Sequence, residues 1–224
     1  MTSALEDIVV VDTSATMVGT MASSYLADFG ADVVLVEPPA GTPMRAQPAW
    51  PFWGRGKRSV VLDLTTPAGR EELVELGRVA DVVIETWRPG VAERLGFGDD
   101  DLRPANPGLV YVSVTGFGRD NSLSGLKAYE PVVMAKIGGL SSFANLSRRK
   151  GPSFVSTPYC TFSAAHLALH GILAALIERE ASGLGQRVDT TLLQGVAAHD
   201  PWNWLLQVLI RRNDQANASP PVWD

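Results

Sequence analysis

A single cysteine, Cys160, stands in the 224 residues, so the chain can form no internal disulfide and no cysteine-based metal cluster. Histidine is nearly as scarce, with three residues. His166 and His170 lie four apart on one helical face, but no Glu stands between them in the H-E-x-x-H arrangement and no third ligand is evident. Two packed histidines are the ordinary reading, and no metal is expected. Basic charge is also short. Against 24 Asp and Glu there are 19 Lys and Arg, and the net charge of −5 argues against a nucleic-acid surface. The N-terminal MTSALEDIVVVD carries acids where a secretory signal would carry bases. The longest apolar stretch, about residues 162 to 177, is interrupted by Ser163, His166 and His170. No membrane span is therefore expected, and a cytoplasmic location is the default.

What is present is enough apolar sequence for a real core: 46% of residues are hydrophobic and 19% charged. Short β-branched runs recur at residues 8–12, 32–37, 59–64, 81–85 and 109–114, nearly continuous in hydrophobicity. Strands covered on both faces read this way. Helical patterns separate them. One covers 17–30 and ends on Gly30, a candidate C-cap; another opens with Thr66 as N-cap and Pro67 at the first helical position. Alternation of this kind predicts an α/β fold, a Rossmann-like, doubly wound, mostly parallel sheet. Residues 115–156, rich in Gly, Ser and Asn, read as loops around one short helix. A long helix over about 158–180 follows, then a candidate strand in RVDTTLL and an apolar helix that Pro201 bends or breaks.

Candidate chemistry is thin. The first βα turn, DTSATMVG, has only Gly19 where a dinucleotide site wants G-x-G-x-x-G, so no NAD is expected, although an anion at that helix start remains reasonable. Cys160 has no identifiable base. Arg45, Arg55, Lys57, Arg58, Arg88 and Arg94 flank the predicted strands. They read either as a ring for a phosphorylated ligand or as scattered surface charge.

More specific are the runs FGADVVLVEPPAGTPMR, GRGKRSVVLDLTTPAGREELVELGRVADVVIETWRPGVAERLGF and NPGLVYVSVTGFG. In that order they resemble the family III CoA-transferases, which include carnitine and formyl-CoA transferases and α-methylacyl-CoA racemases. LKAYEPVVMAKIGGL and GILAALIEREASGLGQRVDTTLL continue the match. The resemblance implies that residues 1–209 form the N-terminal portion of a large CoA-binding domain. Residues 210–224 are then a polar tail or linker, and the relatives' small second domain is absent. Coenzyme A or an acyl-CoA is the implied substrate. Its contacts fall at Thr16, Leu62, Thr65, Thr86, Trp87, Arg88, Arg94 and Lys127, with Trp87 and Leu62 under the adenine and Arg88 and Arg94 on phosphates. Thr65 stands where some relatives carry Lys, and Pro38 where some carry Arg.

The family nucleophile is an Asp at the start of the long helix, and that position is Thr161. A hydroxyl cannot form the acyl anhydride that this chemistry needs. The assisting Gln of formyl-CoA transferases falls at Met17, and the racemases' catalytic His at Tyr129. Glu130 is the nearest carboxylate, with an implied positional role. The resemblance further implies an interlocked homodimer, or a heteromer with an Asp-bearing family chain. The expectation is a CoA-binding half of an enzyme whose nucleophile comes from a partner. A non-catalytic CoA-binding or assembly protein, and CoA-thioester lyase or hydratase chemistry, are the alternatives.

Overall fold

The structure, a computed structural model, describes residues 3–127, 129–142, 150–154 and 156–199. Six strands carry the fold: β1 (Val9–Asp12), β2 (Asp32–Glu37), β3 (Lys57–Val61), β4 (Val82–Glu85), β5 (Val110–Thr115) and β6 (Arg187–Thr191). All neighbours pair in parallel, in the order β3-β2-β1-β4-β5-β6. The expected mostly parallel sheet is thus found, with every described strand pair parallel. The chain winds outward from β1 to β3, returns to lie beside β1 as β4, and winds outward again. Strand ends of β1 and β4 therefore diverge at a topological switch point, where open α/β sheets form their ligand crevices.

The helices are α1 (Met17–Asp28), α2 (Trp50–Trp53), α3 (Pro67–Val79), α4 (Val91–Arg94), α5 (Asp99–Leu102), α6 (Glu130–Lys136), α7 (Gly139–Ser142), α8 (Tyr159–Ser182) and α9 (Leu192–His199). Side chains alternate across the strands, as a pleated backbone requires. Val10, Val33, Val82, Ile84, Val110 and Val112 face a core completed by α1 and α8. Val11, Val36, Val83 and Tyr111 face the opposite core, closed by Leu73 of α3 and Leu102 of α5. Burial on both faces explains why the sequence shows continuous apolar runs.

Local signals work as the residues predict. Thr66 Oγ1 accepts from the Gly69 amide at 3.1 Å, with Pro67 at the first position of α3. Gly30 follows α1 with a φ of +99°, a conformation that a side chain would strain. Other boundaries differ. The strand expected at 59–64 occupies 57–61, because Asp63 Oδ1 accepts from both the amide and hydroxyl of Thr65 and turns the chain out of the sheet. Among the described residues of 115–156 there are two short helices, α6 and α7, rather than one.

Helix α8 needs a correction of its own. The long helix expected over about 158–180 is present, but Ser163, His166 and His170 do not keep it short of the length and apolarity of a membrane span. Its 24 residues reach a mean hydropathy of 1.7 over an 18-residue window, enough by length and composition to cross a membrane. Within this fold it is a core helix, with Cys160, Ala164, Ala165, Ala168, Ile172 and Ala175 buried. Small side chains permit its close approach to α9, where a Cβ on Gly195 would lie 2.6 Å from the Cys160 carbonyl oxygen. The stretch from residue 200 onward, including Pro201 and the 210–224 tail, lies outside the described residues.

Candidate functional site

Strands β1, β2 and β4 each end on a carboxylate, and all three are buried: Asp12 at 0% exposure, Glu37 at 2% and Glu85 at 1%. Each accepts an amide from the turn that follows. Asp12 takes the Ser14 amide at 2.9 Å, Glu37 the Thr42 amide at 2.9 Å and Glu85 the Trp87 amide at 2.7 Å. A buried anion needs a cation, and each has one. Lys57 Nζ lies 3.4 Å from Asp12 and donates to Ser23 Oγ and the Thr20 carbonyl oxygen, each at 2.7 Å. Arg45 grips Glu37 through two nitrogens, and Arg119 lies beside Glu85.

These anchored turns frame a cleft of about 230 Å³ lined by Thr13, Ser14, Pro38, Leu62, Thr65 and Trp87, among others. It opens at the carboxyl ends of the strands beside the switch point. Trp87 is partly exposed and packs edge-on against Phe97, with ring centroids 6.2 Å apart. Leu62 is buried at 4% exposure. In this cleft Trp87 supplies a reachable ring and Leu62 a buried apolar floor. Thr16 Oγ1 donates to Thr86 Oγ1 at 2.9 Å, tying the β1–α1 turn to the loop after β4. A Cβ on Gly19 would come within 2.4 Å of Ser14 Cβ and 2.8 Å of Thr86 Cγ2. That glycine lets the two turns meet.

The other sequence candidates lie elsewhere. Arg94 lines a separate, shallow groove of about 410 Å³ along α3, with Arg70, Glu71 and Arg78. Arg88 and Lys127 are exposed. Of the basic residues, Arg55 and Arg58 are paired with Asp28 and Asp32, and Lys57 is buried beneath α1. These three do not join a ring around the cleft, since β3 begins at Lys57 and puts them at its starting end.

At the entry of α8, Thr161 is buried at 7% exposure. Glu130 accepts the Cys160 amide, the Thr161 amide and the Thr161 hydroxyl, each at 2.8 Å. Pro158, the N-cap residue, makes no side-chain cap, so Glu130 satisfies the free amides of the first turn from outside the helix. Burial, and then the Glu130 carboxylate, push the Cys160 thiol well above its ordinary range. Met17 packs against the core beside α8, and Tyr129 is exposed at 58%. Among the described residues no group of three potential metal ligands occurs.

Sequence reasoning passed over Asp12, Glu37, Glu85 and Arg119. The signal was available: the runs VVVD, DVVLVE and VVIE each close on an acid just where a buried strand ends.

Comparisons with known proteins agree with this architecture. Residues 5–221 match the CoA-transferase family III profile. Formyl-CoA:oxalate CoA-transferase of Streptomyces avermitilis is 38% identical over 206 residues, covering 88% of this chain and 49% of the relative. Succinyl-CoA–D-citramalate CoA-transferase of Chloroflexus aurantiacus is 35% identical over 204 residues, 87% of this chain and 50% of that one. Among solved structures, a hypothetical protein of Mycobacterium tuberculosis superimposes with a TM-score of 0.86 at 31% identity, over 94% of this chain and 61% of its own. A CaiB/BaiF family protein of Brucella suis gives a TM-score of 0.83 at 28% identity, over 95% and 59%. The chain spans about half the length of the curated relatives it matches. With the match running almost end to end and the fold superimposing on solved relatives, the chain belongs to CoA-transferase family III.

Proposed function

We propose that this chain binds CoA and acyl-CoA thioesters at the switch-point cleft and forms one half of a CoA-transferring enzyme. One observation carries the reading. In a family III fold, Leu62, Thr65 and Trp87 line one cleft, and the hydrogen-bonded pair Thr16–Thr86 lies beside it. Trp87 stacks on the adenine, and backbone amides of the β1–α1 turn meet anionic groups of the ligand. Relatives carry names that pair a CoA thioester with a carboxylic acid, such as formyl-CoA with oxalate. The same class of exchange, CoA passing from one carboxylic acid to another, is proposed for the assembled enzyme.

The acyl-accepting carboxylate comes from a partner chain in this reading. A carboxylate attacks the thioester carbonyl carbon, the carbon–sulfur bond breaks, and CoA leaves as the thiolate. That thiolate then attacks the anhydride at the enzyme carboxyl carbon, releasing the donor acid and leaving an enzyme–CoA thioester. Thr161 cannot replace that carboxylate, because its acyl product would be an ester rather than an anhydride. Its hydroxyl is, moreover, donated to Glu130. The partner is an Asp-bearing family III chain, in a heteromer or a mixed dimer, with the cytoplasm as the expected setting.

The non-catalytic alternative draws support from the same closed arrangement at α8, where Glu130 and Thr161 satisfy each other. Lyase or hydratase chemistry has less support, because the Glu130 carboxylate is already engaged by three hydrogen bonds from the first turn of α8. Titration calorimetry with CoA, on the unaltered chain and on Trp87→Ala, tests the binding reading. Binding that the substitution weakens about tenfold, the scale of a lost aromatic contact, supports it. Heat unchanged from buffer dilution overturns it. Mixing with an Asp-bearing relative then separates the halves: transfer by the pair alone supports partnership, and transfer by the isolated chain that survives Thr161→Ala removes it.

A further inference from the structure

Arg119 lies in the loop after β5, with its side chain 23% exposed, and reaches back over β5 to β4. Its Nη2 donates to Ser113 Oγ at 3.0 Å and to Glu85 Oε1 at 3.4 Å. Its Nη1 donates to Glu93 Oε1 in α4 at 2.7 Å. Its Nε, buried and without a hydrogen bond, faces Asp189 Oδ1 of β6 at 3.5 Å. Glu85 and Glu93 bracket the segment Thr86-Trp87-Arg88-Pro89-Gly90, so a single guanidinium holds both ends of the loop that carries Trp87. At the near end the hold is direct, because the other oxygen of Glu85 accepts the Trp87 amide at 2.7 Å.

We infer that Arg119 is a positioning residue for the cleft: it clips the two ends of the Thr86–Gly90 loop and thereby sets where Trp87 meets its ligand. Its effect on ligand binding rests on the reading of the cleft as a CoA site; its effect on the loop does not. Geometry favours arginine here. A planar fork can serve Glu85 and Ser113 with one nitrogen and Glu93 with another, whereas a lysine ammonium offers a single point charge. Electrostatics adds a reason. Burial pushes the Glu85 carboxyl upward, and the Ser113 hydroxyl, then the Trp87 amide and the Arg119 charge, oppose that shift. Trp87 needs such a device because its ring packs on Phe97 alone among described aromatic neighbours, and its main chain has left the sheet.

The deciding measurement needs no ligand. Hydrogen–deuterium exchange of the Trp87 amide, read by mass spectrometry on the full chain, should speed about tenfold in Arg119→Gln, since the Glu85 acceptor loses its cation. Arg119→Lys should fall between, keeping charge near Glu85 but not the span to Glu93. If Arg119→Gln fails to fold, Glu93→Gln carries the same test at the far end, where the partner is half-exposed. Unchanged Trp87 exchange, whatever happens to the melting temperature, overturns the inference. Calorimetry with CoA then separates the two readings. A Kd raised about tenfold in Arg119→Gln extends the clip to the ligand. Loss of CoA binding by the unaltered chain refutes the cleft's assignment while leaving the amide readout to decide the clip.

Discussion

Thr161 donates both its amide and its hydroxyl to the Glu130 carboxylate, each at 2.8 Å. The first turn of α8 is thus closed by a carboxylate that reaches it from α6. Removing that acceptor in Glu130→Ala leaves two amides and a hydroxyl unmet at a buried helix start. The expected cost is about 1–3 kcal/mol, the range for a lost cap and unpaired buried donors. Urea unfolding measures it. Glu130→Gln should cost less, and equal midpoints for all three proteins would show that the cap contributes nothing.

Cys160 is fully buried, and its thiol is pushed up first by burial and then by Glu130. Because thiolate is the reactive form, the native chain should resist a disulfide reagent at pH 8 and react fully once unfolded. As this is the single cysteine, the readout is unambiguous. Rapid stoichiometric labelling of the folded chain would contradict the burial described.

The Glu37 carboxyl is held at about 2, below its ordinary 4.5, mainly by the Arg45 hydrogen bond, with burial opposing and Ser59 and Thr42 assisting. The folded state therefore binds this proton less readily than the unfolded chain. Its stabilisation is complete above about pH 4.5 and is lost as pH falls toward 2. With Arg45 half-exposed and screened by water, the contribution is about 1 kcal/mol. Arg45→Gln should be less stable than the parent at pH 6, and the gap should shrink below about pH 4.5 and close only as pH falls to about 2. A gap independent of pH would refute the assignment.

Gly19 stands where the β1–α1 turn meets the loop after β4, and a methyl there would collide with Ser14 and Thr86. Gly19→Ala should cost about 1–3 kcal/mol through overpacking. It should also break the Thr16–Thr86 contact and weaken CoA binding more than an equally destabilising change remote from the cleft. Unaltered CoA affinity in a destabilised Gly19→Ala would separate that contact from the site.

Much of this fold is legible in the chain. Val9–Asp12, Asp32–Glu37 and Val82–Glu85 are apolar runs because both sheet faces are covered, and α3 announces itself with Thr66 and Pro67. The short helices α2, α4 and α5 are not legible, since four residues cannot establish a period. The site divides in the same way. Thr65 and Trp87 follow from resemblance, and they lie together because the switch point gathers strand ends distant in sequence. Arg119 could not be found that way. Its partners Glu85, Glu93 and Asp189 come from three separate segments, and only the sheet order brings them within reach.

The carboxylates that terminate β1, β2 and β4 carry an implication for which part of the cleft tolerates change. Each turn is fastened to its own strand by its own acid, and each acid is matched by its own cation. The turns after β1 and β4 meet at Gly19 and through the hydroxyl contact between Thr16 and Thr86. The turn after β2, which carries both Glu37's partner Arg45 and the amide of Thr42, can therefore be reshaped on an unchanged sheet, whereas Lys57 and Arg119 reach Asp12 and Glu85 from other segments.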